Sequence, residues 1–182
     1  SHRKDLESKG FFVETEKNKN SEEIKQFNHY YYQGLLLNIG NLRGKNTFVP
    51  NQDKNRYFTN ETLGQIRTLQ ELPKFSYETL IQRSSTIDVI WFNKRNMPDS
   101  FFEVEHSTDI QNSLLKFDDL IDFSARMYIV ADLARKDEYE KKIKYSAFTE
   151  LVQNNRVRFL SYNELEKYYT IEMEKQKFET IL

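Results

Sequence analysis

Thr86-Ile-Asp-Val-Ile-Trp-Phe92, then Asn93-Lys-Arg-Asn-Met-Pro-Asp99, then Phe101-Phe-Glu-Val-Glu-His106: these three stretches decide how the chain folds. The first is β-branched and aromatic, a composition that fits a pleated surface. The second collects Asn, Pro and Asp, which reverse chain direction. The third is apolar apart from its two glutamates. Two strands and a short turn make a hairpin, and such apolar strands belong in a sheet covered on both faces. Asp88 is expected near the middle of the first strand. Glu103 and Glu105, at i and i+2, share one face, with Phe102, Val104 and His106 on the other. Pairing through the turn brings Asp88 close to Glu103.

Toward the N-terminus, Ser21-Glu-Glu-Ile24 opens a helix with Ser21 as N-cap. Ile24, Phe27, Tyr31, Leu35, Leu36 and Ile39 keep helical spacing, and Gly40 is the expected stop, with Gly44 in the following turn. Asn46 to Pro50 reads as a short strand, Asn51 to Arg56 as a polar loop, and Leu63 to Leu72 as a short helix ended by Pro73. One further turn is expected over Tyr77 to Ile81. Residues 1–20 read as a tag remnant and polar, flexible lead-in carrying the Phe11-Phe12 pair, and 21–182 as one domain, itself a fragment of something longer.

Toward the C-terminus, Asp109 to Phe123 carries an apolar stripe of Ile110, Leu114, Leu115, Phe117 and Ile121 and reads as a helix. Arg126 to Ala131 is a strand, Asp137 to Val152 a charged helix, Arg156 to Ser161 a last strand and Asn163 to Tyr169 a terminal helix that can continue. Alternation of helix and strand in this half requires parallel crossovers, and the central hairpin makes the sheet mixed.

The chain has 182 residues, one ordinary domain, and contains no cysteine, which excludes disulfides and thiolate metal sites. No apolar run approaches the roughly 18 residues needed to span a bilayer, and a cytoplasmic setting is expected. Net charge is −1, so no global basic field advertises nucleic acid. From Gly40 to Arg95, however, nine Lys/Arg face five Asp/Glu, which reads either as an ordinary solvated surface or as a contact surface for DNA phosphates.

Three carboxylates meeting in a dry setting repel one another and lose hydration. A hard divalent cation resolves that conflict, and Mg²⁺ is the natural candidate, with Mn²⁺ as substitute. A bound ion can polarise a phosphate and lower the pKa of an attacking water. A bland reading competes: two glutamates lining the solvent side of an edge strand. Acidic residues are poor strand formers, however, and here they interrupt a strand that should be central.

Ile87-Asp88-Val89, a turn, and Phe102-Glu103-Val104-Glu105-His106-Ser107-Thr108 resemble the PD-(D/E)xK nuclease superfamily, in the style of restriction-endonuclease-like and Mrr-like domains. The resemblance runs from about Ser21 to Tyr169 and implies an α/β fold with an αβββαβ core, a mixed central sheet and helices on both faces. It maps the first acid onto Asp88 and the second onto Glu103, and implies the Val104 carbonyl as a further metal ligand. The usual lysine position falls on Glu105, a departure that would make this residue a base or extra ligand. Some members recruit a lysine from the next helix, where Lys116 stands, and a polar side chain from the first helix, where Gln33 stands. Each of these two reads also as an exposed helix residue.

His106 could touch phosphate or shuttle a proton, or be hydrogen-bonded behind the strand. Ser107 and Thr108 could simply cap the next helix. His29, with Tyr30, Tyr31 and Tyr32, reads as helix surface and core rather than a metal cluster, and Trp91 as core.

The function expected from this reading is a Mg²⁺-dependent endonuclease of a restriction or defence system that hydrolyses DNA phosphodiester bonds. Lys45, Lys54, Arg56, Arg83, Lys94 and Arg95 are the expected backbone contacts. The alternatives are a DNA-binding module on the same fold that has lost catalysis, and a protein-interaction domain of a larger defence protein. A homodimer, or further domains, are the expected protein partners; the apolar positions of Tyr168–Leu182 are the one interface signal.

Overall fold

A computed structural model describes residues 21–181, with side chains described from Asn28 onward; the lead-in, the Ser21 cap and the side chains of Ile24 and Phe27 lie outside the described residues. In chain order the elements are α1 (Ser21–Leu42), β1 (Asn46–Phe48), the small strands β2 (Tyr57–Phe58) and β3 (Glu61–Thr62), α2 (Leu63–Ile66), α3 (Glu78–Ser84), β4 (Val89–Phe92), β5 (Pro98–Glu105), α4 (Ile110–Asp119), β6 (Arg126–Ala131), α5 (Lys136–Lys142), α6 (Thr149–Gln153), β7 (Val157–Ser161) and α7 (Tyr162–Glu179). None of these helices is long and apolar enough to cross a membrane.

Five strands form one mixed sheet in the order β1-β4-β5-β6-β7, as the α/β expectation requires. The hairpin is antiparallel, with Val89 opposite Phe102 and Ile90 opposite Phe101. β5, β6 and β7 run parallel, so α4 and the α5–α6 segment are the crossovers. Alternation along the strands sends side chains to two cores. Val89, Trp91, Phe102, Val104 and Val130 meet α1 and α7 on one side. Ile90, Phe92, Phe101, Met127 and Ile129 meet α4 and the α5–α6 segment on the other. Helices therefore cover both faces. Leu115, expected in the apolar stripe of α4, is instead exposed.

Several boundaries differ from expectation, among them the end of α4 at Asp119 rather than Phe123, and three of them have a clear physical reason. First, α1 does not stop at Gly40 but runs on to Leu42. Its end is a Schellman motif: Gly44 has φ +72°, its N–H donates to the Asn41 carbonyl, and the Lys45 N–H donates to the Gly40 carbonyl. Gly40 is a packing position, where an added Cβ would lie 2.5 Å from Trp91 Nε1. That indole is buried and donates to the Leu36 carbonyl. Gly40→Ala should therefore destabilise the chain by about 1–3 kcal/mol, overpacking outweighing the gain in helix propensity. A urea melt measures this, and an unchanged or raised midpoint would refute it.

Second, the helix expected over Leu63–Leu72 is a single turn, Leu63–Ile66, opened by a capping box between Thr62 and Gln65. Leu63 and Ile66 belong to one core, whereas Leu69 and Leu72 pack on the other. The chain must cross the β1 edge between them, and no straight helix could do so. In crossing it covers that edge: Leu69 N–H donates to the Thr47 carbonyl and Thr47 N–H to Thr68 Oγ1.

Third, the helix expected over Asp137–Val152 is two short helices with 3₁₀ turns at Leu133–Arg135 and Ser146–Phe148. Tyr139 and Phe148 both reach the same core. Nine residues apart at about 100° per residue, they would fall on opposite sides of one helix, so the segment breaks between them. The single turn expected over Tyr77–Ile81 is likewise the longer α3. At the other end, Ser161 caps α7 through a capping box with Glu164, and the helix leaves Tyr168, Ile171 and Phe178 exposed, as is Ile181 just beyond it.

Candidate active site

The site forms where β4 begins and β5 ends. Asp88 lies one residue before β4 rather than near its middle. It ends the strand pairing by substitution: its Oδ2 accepts the Val104 N–H at 2.7 Å, so a carboxylate takes the place of a backbone carbonyl. In a strand the N–H and C=O of one residue face the same side, so the Val104 carbonyl also faces the Asp88 edge. The Asp88 N–H donates to Glu103 Oε2 at 3.2 Å.

Glu103 and Glu105 share the α4 face, and both are buried, Glu103 at 1% exposure. α4 supplies what they need. Lys116 Nζ lies 2.6 Å from Glu103 Oε1 and also donates to the Thr86 carbonyl at 3.1 Å. The stem of α4 thus lays this lysine into the acidic pocket rather than out into solvent. Ser113 and Thr108 donate their hydroxyls to the two oxygens of Glu105. Thr108 therefore does not cap α4; Asp109 does, accepting from the Gln111 N–H. Tyr162 at the start of α7 donates to the Glu105 carbonyl at 3.2 Å and fixes the end of β5.

α1 contributes two residues four apart, hence on one face. His29 Nε2 lies 3.4 Å from Asp88 Oδ1. Gln33, fully buried, donates from Nε2 to Asp53 Oδ2 and to the Asp88 carbonyl, each at 3.0 Å. His29, read from the sequence as plain helix surface and core, is part of the acidic site. Asp53 has no mark in the sequence, because its loop carries no periodicity; it is nevertheless buried and joins His29 and Asp88, with one ligand atom from each within 4.8 Å of the others. The i, i+4 pair His29 and Gln33 was the readable signal.

The electrostatics follow from burial and crowding. Burial, and then the Asp88 charge beside it, push the Glu103 carboxyl well above its ordinary range, against the pull of Lys116. Asp88 goes the other way: burial would raise it, but His29 and hydrogen bonds from Glu103 and the Val104 N–H hold it low. Burial lowers His29, but the two aspartates and Glu105 leave it above its usual value. Burial raises Glu105 and Asp53. The pair Asp88–Glu103 is thus the like-charge conflict expected from the hairpin.

These groups line a cleft of about 430 Å³ bounded by His29, Asp88, Glu103, Glu105, His106 and Lys116. His106 lies just past the end of β5, on the cleft wall.

The expected DNA contacts are spread out. Lys45 pairs with Asp99, and Lys94 and Arg95 are exposed on the β4–β5 turn. That turn is at the other end of β5, whose first residue, Pro98, stands five residues before Glu103, or about 16 Å away. Arg83 is held by Asp119 at 2.6 Å. Lys54 and Arg56 are exposed on the loop that carries Asp53, and Arg56 stacks over Tyr30 beside His29. A further basic residue, Arg135, reaches the Thr108 carbonyl at 2.6 Å and pairs with Glu138 at 2.8 Å.

A family model described as the C-terminal domain of the type II restriction enzyme NmeDI matches residues 12–181. Among curated proteins, the type II restriction enzyme NmeDI of Neisseria meningitidis serogroup C is 24% identical over 153 residues, an alignment that covers 79% of this chain and 42% of that enzyme. The chain therefore spans less than half the length of this relative. No solved structure gives a significant match.

Proposed function

Because the chain belongs to the NmeDI C-terminal domain family of type II restriction enzymes, we propose that it is the DNA-cleaving domain of such an enzyme, on a PD-(D/E)xK plan. The observation that carries this reading is the convergence of Asp88, Glu103 and Lys116 in one cleft, with Lys116 Nζ 2.6 Å from Glu103 Oε1. The residues suit a divalent cation: Asp88 and Glu103 meet in a buried setting, where burial and then the Asp88 charge raise the Glu103 carboxyl well above its range, and a cation relieves that repulsion.

Asp88, Glu103 and the Val104 carbonyl are the groups that would hold Mg²⁺, or Mn²⁺ in its place. When bound, the ion would polarise the scissile phosphate and offset charge on the leaving oxygen. Lys116 sets a positive charge beside the same phosphate as negative charge develops there. Glu105, whose carboxyl is raised by burial and oriented by Ser113 and Thr108, takes the proton of the attacking water. Water adds to phosphorus and one P–O ester bond breaks. Arg56, over Tyr30, and Arg135, at the Thr108 carbonyl, suit the flanking phosphates. A lysine reaching the site from α4 fills the role left open by Glu105, which favours an active enzyme over a silent binding module.

The test is cleavage of plasmid DNA by the purified chain. Nicking that needs Mg²⁺ and stops on chelation is expected. The same ion should raise the melting temperature: at about 100 times its Kd it adds about 2.7 kcal/mol, which is roughly 5–10 °C for a domain of this size. A chain that neither cuts DNA nor melts higher with Mg²⁺ or Mn²⁺ would end the proposal.

A further inference from the structure

We propose that the face of the sheet opposite the acidic cleft carries a separate pocket that binds a nucleoside phosphate. This pocket lies between α1, α7 and the strands β4 to β7, and its volume is about 380 Å³, within the roughly 300–1,000 Å³ of small-molecule sites. It shares no lining residue with the acidic cleft, so it stands or falls independently of the cleavage chemistry assigned there.

Strand alternation builds the pocket. Val104, Val130 and Leu160 stand side by side across β5, β6 and β7 and pack under α1 and α7. Two residues back along each strand the same face presents Phe102, Tyr128 and Arg158, again side by side, and two residues further back β6 presents Arg126. Positions that the period assigns to the helix-covered face thus turn from apolar to aromatic and then to cationic. Tyr128 stacks on Phe102, with ring centroids 5.0 Å apart and planes at 12°, and Trp91 adds a third ring 4.6 Å from Phe102. Arg43 overhangs them from the end of α1, its guanidinium 5.7 Å from the Trp91 ring and 5.8 Å from that of Tyr168 on α7.

The charges about this pocket are unbalanced. Arg126 and Arg158 are exposed and form no ion pair among the described residues. Arg43 gives its Nε to Glu172 at 2.6 Å, which leaves its two terminal amino groups for a ligand. The one carboxylate in the lining, Glu164, already accepts the Ser161 N–H through Oε2. A concave site lined by one sign of charge concentrates the opposite ion.

The rest of the lining selects among anions. Guanidinium forks match phosphate oxygens in pairs. Tyr128, half-buried on the floor, and Tyr168, exposed on the α7 wall, offer rings to a planar base. The second oxygen of Glu164 can accept from a sugar hydroxyl or a base amino group. Inorganic phosphate would leave the rings unused, and a neutral aromatic would leave the guanidiniums unanswered. A base, a sugar and a phosphate in one molecule use both, whether as a free nucleotide or as the end of a nucleic-acid strand.

Trp91 is the one tryptophan of the chain and lines this pocket, so its fluorescence reports occupancy. In chelator-containing buffer, titration of the unmodified chain with AMP should change that fluorescence saturably, and inorganic phosphate and adenosine should each bind at least tenfold more weakly. Arg126→Ala combined with Arg158→Ala should weaken AMP about tenfold or more, as loss of charge-assisted hydrogen bonds does. Tyr168→Ala should weaken AMP but not phosphate, and Lys116→Met, in the other cleft, should bind AMP as the parent does. A 5′-phosphorylated single-stranded hexanucleotide separates the two sources: binding tighter than AMP assigns the pocket to a strand end, and weaker binding assigns it to the free nucleotide. Phosphate or polyglutamate binding as well as AMP overturns the proposal. So does AMP binding unchanged in the double arginine variant, or a Trp91 signal that no probe moves, which would make these arginines a solvated rim. None of these results bears on Mg²⁺-dependent cleavage, so a failure here is distinguishable from a failure of the nuclease assignment.

Discussion

Asp88→Asn should lower the rate of DNA cleavage about a thousandfold or more while leaving the chain folded. The effect is large because one carboxylate does several things at once. It is a ligand candidate for the cation, and its charge contributes to the rise of Glu103 and of His29. Removing one preorganised electrostatic group from an active site costs about 10²–10³ in rate. Loss of a cation adds to that. The fold should survive because the amide oxygen can still accept the Val104 N–H that Asp88 Oδ2 now accepts at 2.7 Å. Two shifts also work against each other. A carboxyl held low stabilises the fold above its unfolded pKa and loses that contribution as pH falls through the folded value. Glu103, held high, favours the fold below its unfolded pKa and loses that contribution as pH rises through its folded value. The substitution relaxes both, so circular dichroism and melting should change little. Cleavage within tenfold of the parent would remove Asp88 from the machinery.

What could be read from the sequence, and what could not, divides along one physical line. β4 and β5 were legible because β-branched and aromatic runs have few other places to go, and because their register places Val89 opposite Phe102 and so Asp88 beside Glu103. Glu103 and Glu105 fell on one face for the same reason. Strand periodicity is local. Helix boundaries in the α5–α6 segment were not legible, because Tyr139 and Phe148 reach one core only if the chain breaks between them, a tertiary demand with no local mark. Asp53 was invisible for a related reason. Its place is set by turn hydrogen bonds, from its own N–H to the Pro50 carbonyl and from the Arg56 N–H to its carbonyl, and by Gln33 reaching across from α1. The role of His29 is masked in the sequence by the neighbouring tyrosines, whose pattern is that of core packing. Tyr31 and Tyr32 do pack there, but His29 lies about 160° around the helix from Tyr31 and about 60° from Tyr32, and its imidazole meets Asp88 instead.

Lys116→Met should lower cleavage about 10²–10³-fold and, more tellingly, move metal binding to higher pH. Burial and the Asp88 charge raise the Glu103 carboxyl, and Lys116 is the cation that opposes them through its charge and hydrogen bond. Without it Glu103 rises further. A carboxylate must lose its proton to hold a cation, so the pH at which the chain reaches half its limiting Mg²⁺ affinity should climb, and some activity should return at alkaline pH. Lys116→Arg keeps the charge and should hold that pH close to the parent's. The stability of Lys116→Met follows the same sign: the raised carboxyl favours the folded chain below the ordinary glutamate value of 4.5, and that advantage is lost as pH rises through the folded pKa. The loss should continue to higher pH in this variant than in the parent. Calorimetric Mg²⁺ titrations across pH, paired with melts in metal-free buffer, separate a lysine that tunes Glu103 from one that merely lies on α4. A parental pH profile in Lys116→Met would place it in the second category, and the lysine-dependent step of the proposed reaction would go with it.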